Sequence, residues 1–128
     1  MNSKTAIKYF LVFGGIFEAL IGILFMFIDL FLKQLGLQNI PLFSQMAGAF
    51  IFGYGILLVY SSRDIEKYVI IPLINILIRI PVIIFGILSL SEVPELMVIL
   101  VFALSYDSIW SIILLILILR SGIILRKS

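Results

Sequence analysis

The chain has 128 residues, of which 63% are hydrophobic and only 12% are charged. A soluble globular domain is about 45–50% apolar and about 25% charged, so this composition, with a mean hydropathy of +1.31, predicts a protein that lies in a lipid bilayer. The chain has no His and no Cys, which excludes imidazole and thiolate metal sites, disulfides and His-based catalysis.

Four apolar runs, each close to the roughly 20 residues that cross a bilayer, predict an all-α transmembrane four-helix bundle. We expect one integral membrane domain over residues 1–128. The first span, residues 6–28, is longer than the apolar part of a signal peptide, which has about 7–15 residues, so we expect it to be retained. The other spans cover about residues 42–60, 68–90 and 96–119.

The connection between the first two spans predicts a short interfacial helix. Residues 29–36, DLFLKQLG, combine apolar side chains with Asp29 and Lys33, a weakly amphipathic pattern typical of a helix at the membrane surface. Gly36 favours the end of this helix, and Pro41 favours the start of the second span.

The positions of the basic residues predict the orientation of the chain. Seven cations fall on one side of the four spans: Lys4, Lys8, Arg63, Lys67, Arg120, Arg126 and Lys127. The other side carries Lys33 together with the acidic Asp29, Glu92 and Glu95. Because cytoplasmic loops are enriched in Lys and Arg, we expect both termini in the cytoplasm, in a membrane of the prokaryotic cytoplasmic type. The basic residues behind the net charge of +2 would then lie at the level of the anionic lipid head groups. The charge therefore does not indicate that the protein binds nucleic acid.

Three ionisable residues inside the spans reach a similar depth. Arg79 lies at the midpoint of its span, and Glu18 and Asp107 lie within one residue of the midpoints of theirs. A charge at the centre of a membrane helix costs about 2.5–3.5 kcal/mol on insertion scales, so none of the three should face lipid. We therefore predict that these side chains meet where the first, third and fourth spans pack together.

Neighbouring polar residues extend this predicted centre. Asn75 lies one helical turn from Arg79, and Ser108 and Ser111 lie close to Asp107, so we predict that they belong to the same polar or ligand-binding centre. Two carboxyl groups against one guanidinium leave an excess negative charge. We expect Arg79 to pair mainly with one acid while the other acid carries a proton, and which acid does so stays open.

Small residues at helical spacing predict close packing between helices. The second span has a polar group only toward its outer end, so we expect it to act as a packing scaffold. We expect Trp110 to be a core or lipid-facing filler and Tyr106 to serve packing, with donation of a hydrogen bond into the polar centre as the alternative for Tyr106. The predicted packing residues are Gly15, Ala19 and Gly22 in the first span, and Gly48, Ala49 and Gly53 in the second.

The sequence contains no catalytic motif. It has no phosphate-binding glycine loop, no cluster of metal ligands and no nucleophile beside a base, so we expect a non-enzymatic protein without catalytic residues, metal or cofactor. Polar groups between membrane helices can simply fix their register, although ionisable groups inside a membrane are functional candidates by default. We expect either a binder of an apolar small molecule such as a lipid or quinone, or an accessory subunit that contacts partner membrane subunits. The alternative is a proton-coupled small-molecule transporter that works as a homo-oligomer.

Glycine-rich stretches in the first half of the chain carry a family resemblance. They are Gly14-Gly15 with Gly22, the segment 29–37, and Gln45-Met-Ala-Gly48 with Gly53-Tyr-Gly55-Ile-Leu-Leu, followed by Ser62-Arg63-Asp64. In this order they resemble the DoxX-like group of small four-span membrane proteins, which often carries Arg where this chain has Gln45. The resemblance implies a four-helix bundle with both ends inside, sometimes associated with respiratory or redox membrane complexes, and it supplies no substrate.

Overall fold

The computed structural model describes residues 2–123. Within this range the chain forms α-helices and no strand, and Arg126 and Lys127 of the predicted basic tail lie outside it. The helices are α1 (Ser3–Met26), α2 (Ile28–Gln34), α3 (Pro41–Ser61), α4 (Ile70–Ser89) and α5 (Met97–Ser121), with one 3-10 turn at Pro94–Leu96.

Four of these helices, α1, α3, α4 and α5, are long and apolar enough to cross a membrane. The predicted all-helical fold with four long apolar helices is therefore confirmed for the described residues, although the helix ends differ by a few residues. The first helix begins at Ser3 rather than at residue 6, because the Asn2 side chain caps it by accepting a hydrogen bond of 2.8 Å from the Thr5 amide.

The short helix α2 follows α1 directly, where the sequence predicts one. It ends at Gln34, and Gly36, two residues later, has a φ of 75° that lets the Leu37 amide donate to the Leu32 carbonyl at 2.9 Å. Pro41 then opens α3 as its first residue. The position of α2 at the membrane surface stays a prediction.

Helices α1 and α3 pack as a close antiparallel pair. A Cβ atom built on Gly15 would lie 2.6 Å from the Gly55 carbonyl oxygen, and one built on Gly22 would lie 2.7 Å from the Gly48 carbonyl oxygen. Similarly, a Cβ on Gly55 would lie 2.5 Å from the Ala19 amide nitrogen. The two backbones touch because these positions carry little or no side chain.

Ala49 and Gly53 do not take part in this contact. Ala49 is exposed, and a Cβ built on Gly53 meets no atom within 4 Å. The prediction that these two residues form a second packing pair is therefore wrong for contacts within the described residues. The physical reason is helix geometry, since successive residues turn by about 100° and only the face with Gly48 and Gly55 points at α1.

The hydrophobic core occupies one half of the bundle, where α1 and α4 begin and α3 and α5 end. The Lys4–Glu66 ion pair joins the start of α1 to the α3–α4 connection at this end. Beyond Arg79 no residue of α4 is buried, and the buried residues of α5 begin only at Trp110. The residues around Arg79 thus lie where the packed half meets a more open half. The core residues are Ile7, Leu11, Leu58, Val69, Trp110, Leu114, Ile118 and Ile123.

Candidate functional site

The Arg79 side chain of α4 joins three helices. Its Nη2 donates to Glu18 Oε2 of α1 at 2.9 Å, and its Nη1 donates to Asp107 Oδ1 of α5 at 2.5 Å. Its Nε donates to Asn75 Oδ1, one turn earlier on α4, at 2.8 Å. The structure thus brings together the ionisable residues that the sequence places at one depth, and every guanidinium nitrogen has a partner.

Asn75 contacts both Glu18 and Arg79 and so links these two side chains. Its Nδ2 lies 3.3 Å from both carboxyl oxygens of Glu18 while its Oδ1 accepts from Arg79. The spacing of four residues places the amide and the guanidinium on one face of α4, and both reach Glu18. We refer to Glu18, Asn75, Arg79 and Asp107 as the charged centre.

The expectation that Arg79 pairs mainly with one acid is wrong. The guanidinium presents separate donors on its two Nη atoms, so it bonds to both carboxyl groups at once. The side chains of Arg79, Glu18 and Asp107 are 9%, 15% and 23% exposed, respectively. Asp107 is the most accessible of the three, so the centre is least covered on the α5 side.

Trp110 forms a wall of the charged centre that sequence reasoning missed. The Arg79 guanidinium lies over its ring, 4.4 Å from the centroid, and Phe10 stacks on it at 5.4 Å. Gly14 makes room for it, because a Cβ there would lie 2.5 Å from the indole Nε1. The available signal was spacing, since Trp110 lies one turn from Asp107 on α5.

Several polar side chains of α5 lack partners. The Ser111 hydroxyl, the Tyr106 hydroxyl and the Trp110 Nε1 are buried without a hydrogen bond. Ser108 is half-buried and forms no side-chain hydrogen bond with any residue of the described range. The two serines therefore lie on the helix of the charged centre without bonding to it. Buried polar groups are almost always satisfied in native proteins, so the three orphan atoms require an explanation.

An apolar groove runs between α1 and α5 beside the charged centre. Its volume is about 370 Å³. Trp110 lines this groove and its ring also stacks against the Arg79 guanidinium, so one side chain belongs to both features. The groove residues are Phe10, Phe13, Phe102, Ser105, Tyr106, Ile109, Trp110 and Ile113.

Comparison with known proteins gives no family for this chain. No family model matches it, and searches of curated proteins and of solved structures likewise gave no match. The resemblance to the DoxX-like group therefore stays a prediction. Fold and site have the properties of a small integral membrane protein with four apolar helices and a buried charged centre.

Proposed function

We propose that this protein is a non-enzymatic membrane protein that binds one lipid- or quinone-like molecule in the groove between α1 and α5. The observation that carries the proposal is the double role of Trp110, which lines the groove and stacks on Arg79. The groove volume of about 370 Å³ falls within the range of about 300–1,000 Å³ that is usual for small-molecule sites.

The hydrogen bonds of the charged centre support different roles for the charged centre and the groove. Arg79 bonds through Nε, Nη1 and Nη2 and so holds α1, α4 and α5 together. Its side chain is only 9% exposed, so it is poorly accessible to a ligand. The groove provides the apolar surface instead. The charged centre fixes the position of Trp110 and hence the shape of the groove wall.

Native mass spectrometry of the protein, extracted gently from its own membrane, tests the proposal. We expect the wild-type chain to retain a small apolar molecule. The Ser105→Phe variant should lose it, because Ser105 is exposed in the groove and the larger side chain would fill that space. The control is Val98→Phe, which places the same side chain on α5 outside the groove, at a residue that is 83% exposed.

Each outcome of this experiment is informative. Retention by the wild type and Val98→Phe, with loss in Ser105→Phe, supports the binding function. A defined complex with larger membrane subunits, and no small molecule, would replace it with an accessory role. A chain that carries neither contradicts the proposal.

A further inference from the structure

Two tyrosines flank the polar connection between α3 and α4. Tyr60 lies in the last turn of α3, and Tyr68 lies two residues before the start of α4. Their hydroxyl oxygens are 3.2 Å apart and their ring centroids are 5.0 Å apart, so the two side chains form one aromatic pair, which we call the tyrosine pair. Tyrosine is enriched where membrane helices meet water, so we expect this pair at the depth of the lipid head groups.

Each ring of the tyrosine pair carries a cation. The Arg63 Cζ lies 5.7 Å from the centroid of the Tyr60 ring, and the Lys67 Nζ lies 5.3 Å from the centroid of the Tyr68 ring. The connection fixes the backbone of both residues, because the Arg63 amide donates to the Tyr60 carbonyl and the Lys67 amide donates to Asp64 Oδ1, each at 3.2 Å. Two positive charges are therefore held on adjoining rings.

The charge of Arg63 has no acidic partner among the residues that the structure describes. Glu66 pairs with Lys4, and the Asp64 carboxyl group accepts from a backbone amide. Arg63 is exposed and lies outside the helices, so a ligand can reach its guanidinium. A guanidinium in this state is suited to a phosphate, which it can bind through two parallel hydrogen bonds.

The hydroxyl groups of the tyrosine pair add a further donor. In a hydrogen bond between two hydroxyls only one of them donates, so the other keeps its own hydrogen, whichever way the bond runs. The connection thus offers a guanidinium, an ammonium and one O–H in a single exposed patch. A matching ligand group carries negative charge and several acceptor oxygens, as a phosphate does.

We infer that the tyrosine pair, with Arg63 and Lys67, binds the phosphate of an anionic phospholipid. A membrane source is favoured over a soluble phosphate ester because Leu57 and Ile70, which are exposed on the adjoining turns of α3 and α4, offer apolar surface for acyl chains. This end of the bundle is also the one predicted to face the anionic cytoplasmic leaflet. The site is separate from the groove between α1 and α5.

The same charges predict selectivity between phospholipids. A zwitterionic lipid brings its own ammonium group next to its phosphate. Arg63 and Lys67 already lie over the two rings, so they would repel that ammonium group. An anionic lipid such as phosphatidylglycerol presents the phosphate without a cation and should bind more tightly.

A lipid titration followed by native mass spectrometry tests this inference. Delipidated protein in detergent is mixed with phosphatidylglycerol or with phosphatidylcholine of identical acyl chains. We expect the wild type to bind one phosphatidylglycerol at about tenfold lower concentration than phosphatidylcholine, and Arg63→Gln to lose most of this preference. The control is Arg120→Gln, which should keep the preference. It removes the same charge at the same end of the bundle, but Arg120 contacts no ring and no acid within the described range.

Tyrosine variants test the hydroxyl groups without removing a charge. Tyr60→Phe and Tyr68→Phe each leave one hydroxyl with a free hydrogen, so we expect each to bind phosphatidylglycerol as the wild type does. The double variant keeps both rings and loses both hydroxyls, so its affinity for phosphatidylglycerol should fall about threefold while that for phosphatidylcholine stays the same.

Three outcomes would overturn the inference. Equal affinity of the wild type for the two lipids would remove the site, and equal losses in Arg63→Gln and Arg120→Gln would assign the preference to the overall charge of this end. Displacement of phosphatidylglycerol by an equal concentration of glycerol phosphate would replace the lipid with a soluble phosphate ester. A preference lost in Arg63→Gln, kept in Arg120→Gln and resistant to glycerol phosphate supports a phospholipid site.

Discussion

The close contact between α1 and α3 predicts different effects of the same substitution at two glycines, Gly22 of α1 and Gly53 of α3. A Cβ built on Gly22 would lie 2.7 Å from the Gly48 carbonyl oxygen and 2.8 Å from the Phe52 Cα, and both atoms belong to a helix backbone that cannot move alone. Gly22→Ala must therefore push the helices apart, and overpacking of this kind costs about 1–3 kcal/mol. Gly53→Ala meets no atom within 4 Å and should be neutral or slightly stabilising, by up to about 1 kcal/mol.

Unfolding by denaturing detergent, followed by far-UV circular dichroism, gives the free energy of unfolding for both variants. Each variant serves as the control for the other, because both substitutions add one methyl group to an apolar helix. Equal destabilisation by Gly22→Ala and Gly53→Ala would refute the packing geometry. Loss of stability in Gly53→Ala alone would favour the prediction from sequence, in which residue 53 lies at a helix contact.

Three further predictions concern the charged centre and the topology. Gly14→Ala should displace the Trp110 indole, which lies 2.5 Å from the added Cβ, and remove a cation–π contact of about 0.5–2 kcal/mol; a shifted emission maximum checks this, and an unchanged spectrum would count against the stacking. Arg79→Gln should destabilise the protein by about 3–5 kcal/mol in the same detergent assay, because two largely buried carboxyl groups lose their counter-ion. A loss of only about 2 kcal/mol would instead indicate that Arg79 contributes three ordinary hydrogen bonds of about 0.6 kcal/mol each. The chain has no native Cys, so a membrane-impermeant maleimide should label Ser91→Cys in intact cells and Asp64→Cys only after lysis; the reverse pattern would invert the topology.

The sequence predicts the helices and the charged centre well because both follow from one-dimensional properties. Span length and hydropathy define four helices, and the high cost of a charge in lipid requires Glu18, Arg79 and Asp107 to face inward. The midpoint positions of these residues supply the common depth. The simultaneous bonds of 2.5 and 2.9 Å from Arg79 to both acids do not follow from these constraints, because they also depend on how α1, α4 and α5 are rotated.

The packing partners could not be predicted in the same way, because they depend on how each helix is rotated. Gly48 and Gly53 both satisfy a small-residue pattern, yet only Gly48 faces α1. Trp110 was assigned to packing because aromatic residues are common fillers, whereas its contact with Arg79 requires the register of α4 against α5. The groove likewise forms only once α1 and α5 are placed side by side, so no linear motif indicates it.

Solid-state NMR of the protein in lipid bilayers tests the charged centre most directly. With ¹⁵N-labelled arginine and ¹³C-labelled aspartate and glutamate, dipolar recoupling measures the distance from the guanidinium to each carboxyl carbon, and the variants Arg79→Lys, Glu18→Gln and Asp107→Asn assign the signals. We expect the Arg79 guanidinium within hydrogen-bonding reach of both carboxyl groups at once, as the 2.9 Å and 2.5 Å contacts require. Coupling to one acid alone, or to neither, would contradict a centre that joins α1, α4 and α5 within one chain.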